Sequence, residues 1–484
     1  MLKTGAQYKA DLKAMRPNVY KWGRLIEDVT TDPVTSSHIN AIAKAYDAAF
    51  DPELAPIFTT TSALSGKQAH RWNTLMATPD DVAGNAKMKR KSYQLTGSCT
   101  GALCAGWTVL NASWGVTALI DKEFGTNYHA RLEKFMRFCE DEAVTLSGAL
   151  TDAKGNRALK AGQQPNKDSY LHVAEQRPDG IVIRGYKIQI CGVSAARYIV
   201  VMPTTGFGPD EKEFAVVAAV ARDAEGITVV ETRRPSDERT EEEGWDGIKS
   251  GTTAAWIIFD NVFIPNEQVF MNGENKYAGM VLGNFTNIYR AAIGACVAGQ
   301  GDVMVGAAIG VARANGLTQK AFQDKLTAMA ILNETTYGLG LGAIYAGKNF
   351  NGNWVPDALL AHVNKTHVAT LPETTKMTCI EICGGITETG CIPSYKDFKS
   401  PIYGDHLYKA AAAGSDAETR MKLARLVEWL CRGGGIPGCH HGGGSPDTAR
   451  MVIKGNTPWE SFVDYACALC DVDPALVKEA PKKK

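Results

Sequence analysis

Between residues 145 and 275 the chain changes texture. The runs IVIRGYKI, YIVVMPT, FAVVAAVA, ITVVETR and AAWIIFDNVFI are short, rich in Val and Ile, and separated by Gly, Pro, Asp and Asn. Such runs predict strands of a mostly antiparallel sheet or barrel. On either side, apolar residues recur every three or four positions, as in SSHINAIAKAYDAAF (36–50) and in the long stretch 277–316. That spacing builds a buried helix face. Helices, then strands, then helices is not the strand–helix alternation of a parallel nucleotide-binding sheet. Neither G-x-G-x-x-G after a strand nor G-x-x-x-x-G-K-[ST] occurs, so phosphate-cradling loops of those kinds are excluded. The expectation is an α+β protein with an N-terminal helical domain (1–144), a central β domain (145–275) and a C-terminal helical domain (276–484).

Charge and composition narrow the function classes. Fifty-two basic residues balance fifty-two acidic ones, so no global field draws the chain to nucleic acid or to an anionic membrane. The PKKK ending is a local charge at a terminus that frays. No uninterrupted apolar run of about 18 residues is present, which argues against a membrane span. The first twenty residues hold no apolar signal-peptide core, so a cytoplasmic location is expected. There, the twelve cysteines would be reduced rather than cross-linked.

The cysteines raise the chemical question. In GSCTGALCAGW (97–107), Cys99 and Cys104 stand five positions apart. On one continuous helix they would lie about 140° apart, too far round to share an ion. A helix starting near Gly101, with Cys99 in the turn before it, removes that objection. Spacing alone leaves two readings open: a metal site, or small buried hydrophobes. Cys379 and Cys383 are one turn apart, as are Cys467 and Cys470, and without a second ligand pair both read as packing residues. Consecutive Cys439, His440 and His441 alternate sides in an extended segment, so they do not close a metal site alone. One of their imidazoles is a possible general base.

Longer segments go beyond spacing. GTNYH (125–129), GALTDAKGNR (148–157), DGIVIRGYKIQICG (179–192), FDNVFIPNEQVF (259–270), RAAIGACVAGQGDVMVGAA (290–308) and the late GGGSP (442–446) resemble the family containing 4-hydroxybutyryl-CoA dehydratase and 4-hydroxyphenylacetate 3-monooxygenase. GTNYH, TDxKG and the cysteines resemble the dehydratase branch more closely. The resemblance implies an acyl-CoA dehydrogenase-like fold with FAD between the β domain and the C-terminal helices. It also implies a homotetramer, and a [4Fe–4S] cluster on three cysteines and one histidine beside the flavin. Cys99, Cys104 and Cys296 match the cysteines, and Tyr289 stands in the histidine's place. Thr151, Asp152 and Lys154 match the flavin-edge segment. Cys191, followed by Gly192, replaces a threonine near flavin N5, and Gly384 and Gly385 match a glycine turn that approaches the FAD of a partner subunit. Two glutamates of the dehydratase are replaced by Ala254 and Gly438.

The function so implied is that of a lyase or isomerase. It is an FAD enzyme with a cluster, dehydrating a hydroxyacyl-CoA thioester or moving the double bond of an enoyl-CoA, with Tyr289 as acid or base. A phenol, whose reference pKa is about 10, is the better acid at neutral pH. The alternative is an aromatic hydroxylase using reduced flavin and oxygen, for which His129 in GTNYH is the functional histidine. A related flavin enzyme with another substrate, and a degenerate redox- or iron-sensing scaffold, complete the alternatives.

Overall fold

The computed structural model describes residues 1–232, 253–389, 392–432 and 442–477. Helices α1 (Gly5–Lys13) and α2 (Pro33–Asp47) flank a ribbon of β1 (Val19–Lys21) and β2 (Arg24–Ile26). A short α3 (Ala55–Phe58) and the hairpin β3 (Thr59–Thr61)–β4 (Gln68–His70) lead to α4 (Pro79–Thr96), α5 (Ala105–Phe124) and α6 (Tyr128–Asp141). Eight strands follow: β5 (Leu146–Ala149), β6 (His172–Arg177), β7 (Gly180–Cys191), β8 (Tyr198–Val201), β9 (Val216–Ala221), β10 (Ile227–Glu231), β11 (Ala254–Pro265) and β12 (Val269–Asn272). The chain then returns to helix with α7 (Asn275–Ala314) and α8 (Lys320–Tyr345), a hairpin β13 (Lys348–Phe350)–β14 (Asn353–Val355), α9 (Ala358–Val368) and α10 (Leu371–Cys383). It ends with α11 (Gly385–Thr389), α12 (Tyr395–Phe398), α13 (Gly404–Ala411), α14 (Ala417–Arg432), α15 (Pro446–Asn456) and α16 (Trp459–Leu469).

Local sequence sets the boundaries that matter for the site. Thr78 caps α4 in a reciprocal box with Asp81, with Pro79 in the first turn, so three signals for a helix start coincide. Gly97, at φ 65°, ends α4 in a left-handed conformation that glycine adopts cheaply. Helix α5 is apolar on nearly every side, and its residues 106–117 are buried throughout, which makes it a core helix. By length and composition, 101–124 and α7 would each suit a membrane crossing, yet 78% and 72% of their apolar windows are buried inside the protein.

The strands form two sheets, one ordered β2-β1-β10-β11-β7-β6 and the other β12-β9-β8-β5. The pairing is mostly antiparallel, as expected, but one expectation needs correcting. The N-terminal region is not purely helical, because β1 and β2 extend the six-stranded sheet, with β1 parallel to β10. The second parallel pair joins β5 to β8. VYK and RLI are three-residue strands, too short to give a period-two signal. A continuous apolar core runs from Tyr8 through both sheets and the first half of α7 to Ala361. A second core joins the later half of α7 to α8, α10 and α14. Helix α7 therefore belongs to both, and its first half lies against α4, α5 and the sheets.

Candidate active site

The two cysteines of GSCTGALCAGW sit outside and at the start of a helix. Cys99 lies in the turn after α4, and the Gly101 N–H donates to its Sγ at 3.5 Å. Residues Gly101–Leu103 make one 3-10 turn, and Cys104 is the N-cap of α5 at φ −125°, ψ −78°. The break in the helix removes the angular objection to a shared ligand. Cys296 comes from the middle of α7 and is buried, its Sγ donating to the Ile293 carbonyl at 3.2 Å. Tyr289, two turns earlier on α7, stacks on Phe285 with ring centroids 5.3 Å apart.

Cys191 ends β7 and pairs in register with Ala254 of β11. Its backbone is fixed from two sides: Ser147 Oγ donates to the Cys191 carbonyl at 3.0 Å, and Gly192 N–H donates to the Thr253 carbonyl at 3.0 Å. Gly192, at φ 68°, lies flat on the Gly101–Ala102 backbone, where an added Cβ would fall 2.5 Å from Ala102 N. No other residue fits that contact without moving the turn between Cys99 and Cys104.

These elements gather four thiols and one phenol. Burial pushes the Cys99 thiol well above its ordinary value, and Cys191, Cys296 and Cys104 push it further, while the Gly101 N–H partly opposes them. Burial likewise pushes the Tyr289 phenol well up, reinforced by Cys104, Cys191, Cys99 and Cys296. Both groups are thus protonated in the chain alone. None of the four cysteines is disulfide-bonded to another described cysteine. Among the described residues, no three His, Cys, Asp or Glu side chains converge on a point that a single ion would fill.

The expected flavin segment is built around a buried ion pair. Lys187 Nζ lies 2.8 Å from Asp152 Oδ1, and the two side chains are 1% and 2% exposed. The same ammonium donates to the Leu150 and Met202 carbonyls, and the Leu171 N–H donates to Asp152 Oδ1. Burial raises the Asp152 carboxyl and lowers the Lys187 ammonium, each opposed by the partner's charge. Asp152 is thus occupied in anchoring the 150–154 turn to β7, where Thr151 also accepts from Ile188 N–H at 2.8 Å. Lys154, at φ 67°, is half-buried, and burial followed by the Arg157 charge lowers its ammonium.

His129 belongs to a different neighbourhood. Its Nδ1 lies 3.1 Å from both Thr117 Oγ1 and the Trp114 carbonyl. Trp114 is ten residues beyond Cys104 on α5, about 15 Å along the axis, so His129 does not join the thiols. Gly384 closes α10 at φ 76°, and a side chain at Gly384 or Gly385 would meet nothing within 4 Å. Gly438, Cys439, His440 and His441 lie outside the described residues. Cys379 and Cys383 pack in the second core, as expected. Cys470 is exposed and bonded to the Ala466 carbonyl, so its reading as a packing residue is corrected: α16 leaves that face uncovered.

Three contributors were not singled out from sequence. Lys187 sits on the buried face of β7, in line with Ile181, Ile183 and Gly185. Gly443, at φ 69°, brings backbone against the Tyr289 ring, where a Cβ would lie 2.8 Å from Cδ1. Arg290 holds that loop, its Nε donating to the Gly443 carbonyl at 2.9 Å and an Nη donating to Thr448 Oγ1 at 3.1 Å. The GGG run before Ser-Pro was the available signal for a close backbone approach.

The fold resembles that of an acyl-CoA dehydrogenase. Glutaryl-coenzyme A dehydrogenase superposes with a TM-score of 0.51 at 14% identity, over 84% of each chain. Family models for the 4-hydroxyphenylacetate 3-hydroxylase N-terminal and C-terminal regions match residues 4–271 and 278–471. The chain belongs to that family. It is 36% identical, over 94% of its length and 96% of the relative's, to 4-hydroxybutyryl-CoA dehydratase/vinylacetyl-CoA-Δ-isomerase of Clostridium aminobutyricum. The oxygen-tolerant 4-hydroxybutyryl-CoA dehydratase of N. maritimus superposes with a TM-score of 0.94 at 31% identity, covering 100% of this chain and 97% of that one. The oxygenase component of 4-hydroxyphenylacetate 3-monooxygenase, solved with FAD and 4-hydroxyphenylacetate, gives 0.84 at 21% identity, over 97% and 98%.

Proposed function

We propose that the chain is a flavin enzyme of the dehydratase branch, acting on a hydroxyacyl- or enoyl-CoA thioester by dehydration or double-bond isomerisation. One observation carries this reading. Cys104, Cys99 and Cys296, drawn from positions nearly two hundred residues apart in sequence, all act electrostatically on the Tyr289 phenol in a chain 36% identical to a dehydratase.

Cys99, Cys104 and Cys296 would hold a [4Fe–4S] cluster, and the Thr151–Lys154 turn with Cys191 and Gly192 would hold FAD. The open Gly384–Gly385 turn would approach the FAD of a partner in a homotetramer. When bound, the flavin supplies reversible one-electron transfer and the cluster a Lewis-acidic iron. The protein's own contribution is positioning and proton management. Tyr289, wedged between Phe285 and Gly443, presents a protonated hydroxyl that donates to a leaving oxygen or returns a proton to carbon. Ala254 leaves that wall of the pocket uncharged, which suits a less polar acyl chain. Lys154 offers a cation to the electron-rich edge of the flavin.

Anaerobic purification followed by visible spectroscopy with iron and acid-labile sulfide assays tests the cofactors. FAD with about four irons per chain supports the reading. FAD without iron turns it toward the reduced-flavin hydroxylase, for which oxygen-dependent product formation is the discriminating assay.

A further inference from the structure

We infer that Cys379 and Cys431 are a thiol oxidation site, a pair that peroxide joins in a disulfide stapling α10 to α14. The pair belongs to the second core, and its chemistry does not depend on which cofactors the candidate active site holds. Three observations carry it.

The first is contact. Cys379 and Cys383 are buried one turn apart on α10, and Cys431, near the end of α14, packs against the same core. Side-chain hydrogen bonds join the Cys379 thiol to those of Cys383 and Cys431. Cys431 Sγ also donates to the Lys376 carbonyl of α10 at 4.0 Å, and Cys379 Sγ to the Met304 carbonyl of α7 at 3.7 Å. None of the three is disulfide-bonded. The second is direction. Cys379 and Cys383 share one helix, where residues four apart rise about 6 Å with near-parallel Cβ bonds. A bridge between them would distort α10. Cys431 approaches from a separate helix, so side-chain rotation can bring its sulfur onto that of Cys379. The third is access. Cys431 is half-buried, whereas Cys379 is 0% exposed and Cys383 7%, so a dissolved oxidant meets Cys431 first. Hydrogen peroxide converts that thiol to a sulfenic acid and releases one water. The Cys379 sulfur then bonds to the Cys431 sulfur, the S–O bond breaks, and the hydroxyl leaves as a second water with the Cys379 proton. Two thiols are oxidised and one peroxide is reduced. Hydrogen bonds to Cys383 and Cys431, together with burial, raise the Cys379 thiol above its ordinary value, which makes the second step the slower one.

The test treats the folded, fully reduced chain with hydrogen peroxide, alkylates the remaining thiols and maps cysteines by non-reducing peptide mass spectrometry. Wild type, Cys379→Ala, Cys383→Ala and Cys431→Ala are compared, with circular dichroism reporting whether each variant is folded. In wild type, fragment ions should place a link between Cys379 and Cys431, preceded by a sulfenic acid on Cys431 that dimedone traps. Dithiothreitol should remove the link. Cys383→Ala should still form it, and Cys431→Ala should not. In Cys379→Ala, Cys431 should stop at the sulfenic acid or go on to the sulfinic acid. The wild-type mapping stands alone if a buried-site variant fails to fold. Peroxide that leaves Cys431 unlinked in wild type overturns the assignment, as does a link from Cys431 to any cysteine other than Cys379.

Discussion

At the residue scale the site turns on one hydroxyl among sulfurs. Burial keeps the Tyr289 proton on oxygen, and the neighbouring cysteines reinforce it. If that proton is used in the reaction, Tyr289→Phe should lower kcat by roughly 10²–10⁴-fold, with FAD content unchanged; an unaltered kcat would remove the phenol from the mechanism. Asp152 illustrates a residue whose motif was legible while its task was not. TDAKG marked the turn, but the carboxylate answers to Lys187, thirty-five positions away and inside a strand. Removing one member of a buried ion pair leaves the other charge stranded, a cost of about 3–5 kcal/mol. Lys187→Met should therefore unfold at markedly lower denaturant concentration than wild type and bind FAD more weakly. Equal midpoints would show that the pair does not anchor the turn.

At the element scale, caps and glycines fix where the site residues stand. Gly443 has both a left-handed φ and no room beside Tyr289, so Gly443→Ala carries backbone strain and a clash. The expected result is loss of turnover together with altered tyrosine near-ultraviolet circular dichroism, while far-ultraviolet signal is retained. Farther out, Asp32 caps α2 through Val34 N–H and pairs with Arg24. Burial raises its carboxyl, but the bonds to Arg24 and Val34 and the Arg24 and Lys21 charges lower it more, leaving it below the ordinary value. A carboxyl depressed in the folded state stabilises above its unfolded pKa of about 3.9 and loses that contribution as pH falls through the folded value. Asp32→Ala should cost about 1 kcal/mol at pH 7, and the difference from wild type should shrink as pH falls below 4. A pH-independent difference would assign the loss to packing.

At the scale of the whole molecule, α7 is the shared beam. Its first half closes the core that contains both sheets, and its second half closes a smaller core with α8, α10 and α14. Two cores on one helix predict two levels of hydrogen-exchange protection. Amides of β7, β11 and α5 should exchange last, and those of α10 and α14 earlier. Uniform protection would mean that the helix couples both cores into one cooperative unit. Because the smaller core ends at the Gly384 turn, ligand binding at that turn should raise protection in α10 selectively.

Much of this architecture was readable from residue order. Val- and Ile-rich runs between helical stretches marked the change from helix to strand near 145 and back near 275, because side-chain period follows directly from backbone geometry. The ends of α4, at Pro79 and Gly97, follow from local conformational limits that the structure makes visible. The resemblance to a known family, rather than any spacing, grouped Cys99, Cys104, Cys296 and Tyr289 as one set. What the order of residues left open is which groups meet. The pairing of β1 with β10 joins residues 19 and 229, and Lys187 reaches Asp152 across a sheet. The end of β7 meets the turn before α5 only because Gly192 can lie flat on Gly101 and Ala102. Such contacts depend on long-range packing, which has no period in the sequence and is decided only when the buried surfaces close.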